Sequence, residues 1–139
     1  MGRLAALDVG DKRIGVALSD PLGIAAQPIG VVERRSQKAD TAAIVALLDG
    51  RPVDKVVVGL PLSMDGSEGE QVDRVRHFAA FFAAMTGLEV VYQDERMTTV
   101  QGERMLIESG MRRKKRREVR DKVAATIILQ AYLDTLPGS

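Results

Sequence analysis

The stretch Val53-Asp54-Lys55-Val56-Val57-Val58-Gly59-Leu60 constrains the fold of this chain more than any other. It is strongly apolar, rich in β-branched residues, and stopped by Gly59-Leu60-Pro61, which together describe a strand. Behind it, Val72, Val75, Ala79 and Phe82 recur at helical spacing and predict an amphipathic helix over Glu70–Thr86. Ser67-Glu68-Gly69-Glu70 fits a Ser-x-x-Glu capping box at its start. After Gly87, Leu88–Gln93 reads as a second strand. A strand–helix–strand unit of this kind is parallel and right-handed.

Three strands are expected upstream, Arg3–Val9, Arg13–Ser19 and Ala26–Val32, the first two joined by the turn Gly10-Asp11-Lys12. A helix from about Lys38 to Leu48 follows, with Ile44, Leu47 and Leu48 on one face and Asp49-Gly50-Arg51-Pro52 as its stop. Two more helices, Thr99–Ser109 and about Glu118–Thr135, close the chain, separated by Gly110 and a basic run. Three antiparallel strands followed by two parallel ones in one mixed five-stranded sheet, flanked by helices, is a ribonuclease H-like α/β arrangement. The 139 residues, 1–139, suffice for one domain with a sizeable core.

Within the first strand, Leu4-Ala5-Ala6-Leu7-Asp8-Val9 places one carboxylate in an apolar run. Burying an ionised Asp costs several kcal/mol unless it is paired or coordinates a metal. Two readings stand: a strand-end Asp accepting from the turn amides of Gly10 to Lys12, or a metal ligand. Asp121 adds to the second. Counting 3, 4, 7 and 11 residues onward gives Ala124, Ala125, Ile128 and Tyr132, so Asp121 heads the apolar stripe of the last helix. Glu95, in Asp94-Glu95-Arg96, follows the last strand at its carboxyl end, where open α/β sheets bind ligands. Oxygen ligands from three separate elements suit Mg²⁺ or Mn²⁺. Two such ions can activate water and stabilise the leaving oxygen in phosphodiester cleavage, and no histidine base is needed. The one histidine, His77, lies opposite the apolar stripe of its helix and reads as a surface residue.

Net charge is only +1, but it is segregated. Residues 112–122 carry eight basic side chains against Glu118 and Asp121, leaving 12 basic and 17 acidic residues elsewhere. The six consecutive cations Arg112, Arg113, Lys114, Lys115, Arg116 and Arg117 repel one another, and a polyanion would neutralise them beside Asp121. Lys12, Arg13 and Arg96, next to the acids, are further candidates for nucleic-acid backbone contacts. With no Trp and few aromatics, phosphate contacts should outweigh base stacking. No cysteine is present, which excludes disulfides and thiolate metal sites. The N-terminus runs straight into a strand, and the longest apolar stretch, Phe78 to Met85, is too short to span a membrane, so a cytoplasmic protein is expected. Asp8-Val9-Gly10 with Gly15 also matches the phosphate loop of actin-like and sugar-kinase ATPases, a fold whose two domains exceed this length.

Four segments carry a resemblance: Ala6-Leu7-Asp8-Val9-Gly10 with Arg13-Ile14-Gly15-Val16-Ala17; Val58-Gly59-Leu60-Pro61-Leu62-Ser63-Met64-Asp65-Gly66; Asp94-Glu95-Arg96-Met97-Thr98-Thr99; and Asp121-Lys122-Val123-Ala124-Ala125 with Ile127-Ile128-Leu129-Gln130. Over essentially its whole length the chain resembles the YqgF/RuvX family of bacterial ribonuclease H-fold nucleases. The resemblance implies divalent-metal dependence and an Asp, Glu, Asp triad at Asp8, Glu95 and Asp121. Two activities are attributed to the family, Holliday-junction resolution and maturation of the 5′ end of the small-subunit ribosomal RNA precursor. Related resolvases carry an acid at the end of the strand after the first helix, where this chain has Gly59-Leu60-Pro61. Glu95 would supply that ligand from the next strand, with Asp94 and Asp65 as substitutes.

The leading expectation is thus a Mg²⁺- or Mn²⁺-dependent endonuclease acting on a four-way DNA junction or precursor ribosomal RNA. The alternative is a non-catalytic ribonuclease H-fold module that binds nucleic acid. A resolvase making two symmetric cuts is expected to be a homodimer, with the apolar Phe78–Met85 stretch a candidate face.

Overall fold

The computed structural model describes residues 2–62, 69–95 and 113–137, with side chains of the last segment described from Val123 onward. Five strands form one sheet: β1 (Arg3–Val9), β2 (Arg13–Ser19), β3 (Ala26–Glu33), β4 (Val53–Leu60) and β5 (Glu89–Asp94). Their order is β3-β2-β1-β4-β5. β1 pairs antiparallel with β2, β2 antiparallel with β3, and β1–β4 and β4–β5 are parallel. The described helices are α1 (Gln37–Leu48), α2 (Glu70–Thr86) and α3 (Arg113–Asp134). This is the expected mixed sheet of three antiparallel and two parallel strands, with β1 at its centre. The expected helix Thr99–Ser109 lies outside the described residues.

Strand alternation divides the core into two layers. Ala5, Leu7 and Val9 of β1, with Ile14, Val16, Leu18, Val56 and Val58, meet Ile44 and Leu48 of α1 and Val72, Val75, Phe78, Ala79 and Phe82 of α2. On the other face, Ala6, Ala17 and Val57 meet Ala125, Ile128, Leu129 and Leu133 of α3. Two alanines there let α3 lie close to the centre of the sheet. Where β1 begins, its register with β4 shifts between Arg3 and Leu4, and the Leu4 N–H donates instead to the Ser19 hydroxyl at 2.9 Å.

Three local expectations change. The N-cap of α2 is Gly69, and no side chain caps it, so the Ser67 capping box does not set this helix start. The basic run, expected as a loop ahead of a helix beginning near Glu118, is helical instead. Arg113, Lys114, Lys115, Arg116 and Arg117 are the opening turns of α3, and Arg112 falls outside the described residues. Arg and Lys are strong helix formers, and nothing from Arg113 onward breaks a helix, so local propensity prevails over charge repulsion. Finally, Phe78, Ala79 and Phe82 are core residues, leaving only Ala80, Ala84 and Met85 of the candidate dimer stretch exposed. His77 is exposed, as expected.

Candidate active site

Asp8 lies on β1 two residues beyond Ala6, so alternation puts it on the α3 face of the sheet, at the carboxyl end of the central strand. Its cross-strand partner on β2 is Gly15. On the other side β4 runs past Val58, the partner of Leu7, to Gly59. Glycine on both neighbouring strands leaves bare backbone around the carboxylate. A cavity of about 270 Å³ opens there, lined by Asp8, Gly10, Asp11, Lys12, Arg13 and Gly15. The turn closes on itself, the Gly10 N–H donating to the Arg13 carbonyl at 2.9 Å.

Glu95 follows β5 directly, and its backbone N–H donates to Leu60 O of β4 at 3.2 Å. Its side chain turns over Gly59. A Cβ built on that glycine would stand 2.5 Å from Glu95 Oε2 and 2.5 Å from Ile128 Cδ1. A side chain at 59 and the Glu95 carboxylate therefore compete for one volume, and Gly59 resolves the competition. Asp94 points elsewhere. Tyr92, two residues earlier on β5, lies under the Arg76 guanidinium of α2 at 4.9 Å, so alternation assigns Asp94 to the α2 face.

The half-buried Glu95 carboxyl is pushed up to about 8, by burial first, then by the negative charges of Asp8 and Asp94. Burial and like charge both disfavour the ionised form. Strong perturbation of a carboxyl in a cleft marks a functional-site candidate. The oxygen-only donor set fits a hard divalent cation, whose charge would offset the negative potential that Glu95 reports. Among the described residues no three acidic, His or Cys side chains form a ready metal cluster. Asp121 lies within α3, four residues before buried Ala125 and seven before buried Ile128, but its side chain is outside the described set. Asp65 and Arg96 also lie outside it. Lys12 is exposed on the cavity rim, and Arg13 makes an exposed ion pair with Glu33 at 3.1 Å, of the kind worth little in water.

Sequence reasoning missed Arg34 and Asp40, which brace the turn after Asp8. Asp40 is an acid in the first turn of α1 yet only 1% exposed. Its position at Ser36-x-x-x-Asp40, one turn from Ile44, was the available signal.

The close approach at Gly59 makes a testable demand. Gly59→Ala must displace Glu95 or Ile128, and overpacking of this kind typically costs about 1–3 kcal/mol. Urea unfolding should show that loss; a change below about 0.5 kcal/mol, the range of a neutral surface substitution, would contradict the packing described.

Sheet order and helix placement define the class, a ribonuclease H-like fold of the kind seen in junction resolvases. Thermus RuvC, solved as "T. thermophilus RuvC in complex with Holliday junction substrate", superposes with a TM-score of 0.54 at 15% identity, covering 97% of this chain and 98% of that one. The fowlpox virus Holliday junction resolvase gives 0.55 at 14%, covering 96% and 99%. Likeness at such identities speaks to fold alone. Residues 2–135 match the family described as "RuvX: Holliday junction resolvase", and the chain belongs to that family. A Moorella thermoacetica protein named "Putative pre-16S rRNA nuclease" is 52% identical over 134 residues, 96% of each chain. A Clostridioides difficile protein of the same name is 45% identical over 133 residues, 96% of this chain and 94% of that one. No helix among the described residues is long and apolar enough to cross a membrane.

Proposed function

We propose that this protein is a divalent-metal-dependent endonuclease that hydrolyses phosphodiester bonds in structured nucleic acid. The carrying observation is the Glu95 carboxylate turned over the bare backbone of Gly59, at the end of the sheet where Asp8 faces Gly15, with the Glu95 proton held up to about 8 by burial and then by the charges of Asp8 and Asp94. Asp8 and Glu95, with Asp121 as the third acid by helical spacing, would hold Mg²⁺ or Mn²⁺. Held by these carboxylates, such an ion would supply Lewis acidity for activating water and positive charge toward the leaving oxygen. Asp8 fixes the site on the most central strand, and Glu95 must lose its proton before it can serve as a ligand. Lys12 and Arg13 stand on the rim where a phosphate backbone would pass, and Arg96 follows Glu95 directly in sequence.

The start of α3 supports a polyanionic substrate. No acid lies in its first turn, and Arg113–Arg117 add their charge to the positive end of the helix dipole. That arrangement is unfavourable alone and is relieved by phosphates. Replacing Lys114 and Lys115 together by Gln should reduce the slope of log K against log[salt] by about 1 for each phosphate no longer neutralised. An unchanged slope in a salt titration would remove the run from the interface.

The relatives' names favour precursor small-subunit ribosomal RNA as substrate, and the family description favours the four-way DNA junction. A cleavage panel holding both substrates, with Mg²⁺, Mn²⁺ or chelator, tests the proposal. Metal-dependent cutting of either supports the nuclease and names its substrate. Binding without turnover in any metal would instead make the protein a non-catalytic nucleic-acid-binding module.

A further inference from the structure

Arg34 ties three elements to the turn that follows Asp8. Its Nη1 donates to the Gly10 carbonyl at 3.0 Å, and its backbone N–H donates to the Lys12 carbonyl at 2.9 Å. Its Nε donates to Asp40 Oδ2 at 3.3 Å, and the guanidinium lies 5.1 Å above the ring of Phe78, a fully buried residue of α2. Asp40 is fixed in turn, since its Oδ1 accepts from the Arg35 N–H at 2.9 Å. One arginine thus connects α1, α2 and the end of β3 to two carbonyls of the Gly10–Lys12 turn, those of Gly10 and Lys12.

A buried ion pair is weak evidence for stability, because desolvating both charges offsets most of their attraction. Its geometry is more informative. A second tie on this turn, Arg74 Nε to Asp11 Oδ1 at 3.2 Å, is largely exposed, so it supplies little constraint. Arg34 is the tie that couples the turn to the buried core. Gly10 is two residues from Asp8, and its backbone lines the same cavity. A planar fork that bonds a carboxylate and a carbonyl while stacking on a ring is a role lysine cannot reproduce.

We propose that Arg34, oriented by Asp40, is a positioning residue for Asp8: it sets the β1–β2 turn and thereby the placement of the Asp8 carboxylate and of Lys12 on the cavity rim. This rests on the reading of Asp8 as a catalytic acid. Misplacement of a reacting group by about 1 Å can cost 10²-fold in rate, so the signature is a loss in kcat at nearly constant KM.

Two variants test it, Arg34→Lys, which keeps the charge beside Asp40, and the double substitution Arg34→Met with Asp40→Leu, which leaves no unpaired buried charge. Both are expected to unfold cooperatively near the wild-type midpoint, with kcat reduced roughly 10–100-fold, KM within about twofold, and faster amide exchange confined to residues 10–13. Wild-type kcat in either folded variant overturns the role. So does unchanged exchange across the turn, a readout needing neither substrate nor metal. Exchange quickening throughout α1 and the sheet would show a structural part only and also overturns it. Asp8→Asn, run alongside, separates the two claims. If it cleaves like wild type, the reading of Asp8 fails; if it is inactive while the Arg34 variants are fully active, only the positioning role fails.

Discussion

Asp8→Asn is expected to fold as the wild type does and to lose cleavage by about 10³-fold or more, some 4 kcal/mol of transition-state stabilisation. Asparagine fills the same volume beside Gly15 but brings no charge to the carboxyl end of β1. Without that charge the proposed site would lose most of its hold on a divalent cation. The same substitution has a second consequence that does not depend on turnover. Asp8 is the foremost charge raising the Glu95 carboxyl, so removing it should let Glu95 ionise at lower pH. A carboxyl titration followed by NMR would show that movement, and burial alone should still keep Glu95 above its ordinary value. Full cleavage by Asp8→Asn would end the case for the acid site, and an unmoved Glu95 would mean that the two carboxyls are not coupled.

Asp8 was legible in the sequence because a charge inside Leu4–Val9 contradicts its surroundings. The order of elements was legible for a similar reason. Val53–Leu60, Glu70–Thr86 and the strand after Gly87 have distinct periods, so their boundaries fall within a residue of those observed. The meaning of Gly59 was only half visible. A sequence shows that the strand after the first helix ends without an acid; it does not show that Glu95 reaches back over β4 into the volume a side chain at 59 would need. Arg34 left no trace in the sequence, and Asp40 only its spacing from Ile44, for a different reason. Each is an ordinary charged residue in a polar stretch, and only the fold brings Asp40 against Arg34 and Arg34 onto Phe78. The start of α3 is misjudged when the basic run is read as a separator between two helices, although Arg and Lys are strong helix formers. Local conflict tends to sit at functional sites, and a run of cations at the positive end of a helix is itself an argument for a polyanion.

The raised Glu95 carboxyl predicts an inverse pH dependence of stability, the second large effect. Its value is about 8 in the folded chain against 4.5 ordinarily, so the native state holds a proton that the unfolded state has released. The native state therefore binds more protons between pH 4.5 and 8, and stability falls as pH rises through that window. Fully developed, such a shift is worth on the order of 3–5 kcal/mol. Glu95→Gln keeps the side-chain shape over Gly59 and removes the titration. The variant should match wild type near pH 4.5 and become steadily more stable than it up to about pH 8, as read by urea midpoints in the presence of chelator. A constant difference across that range would show that Glu95 is not the group responsible. Adding Mg²⁺ or Mn²⁺ near pH 8 should then stabilise the wild type more than the variant, because a cation bound to the ionised carboxylate reverses the penalty. Equal stabilisation of both proteins would remove Glu95 from the metal site while leaving its proton affinity explained by burial and by Asp8 and Asp94.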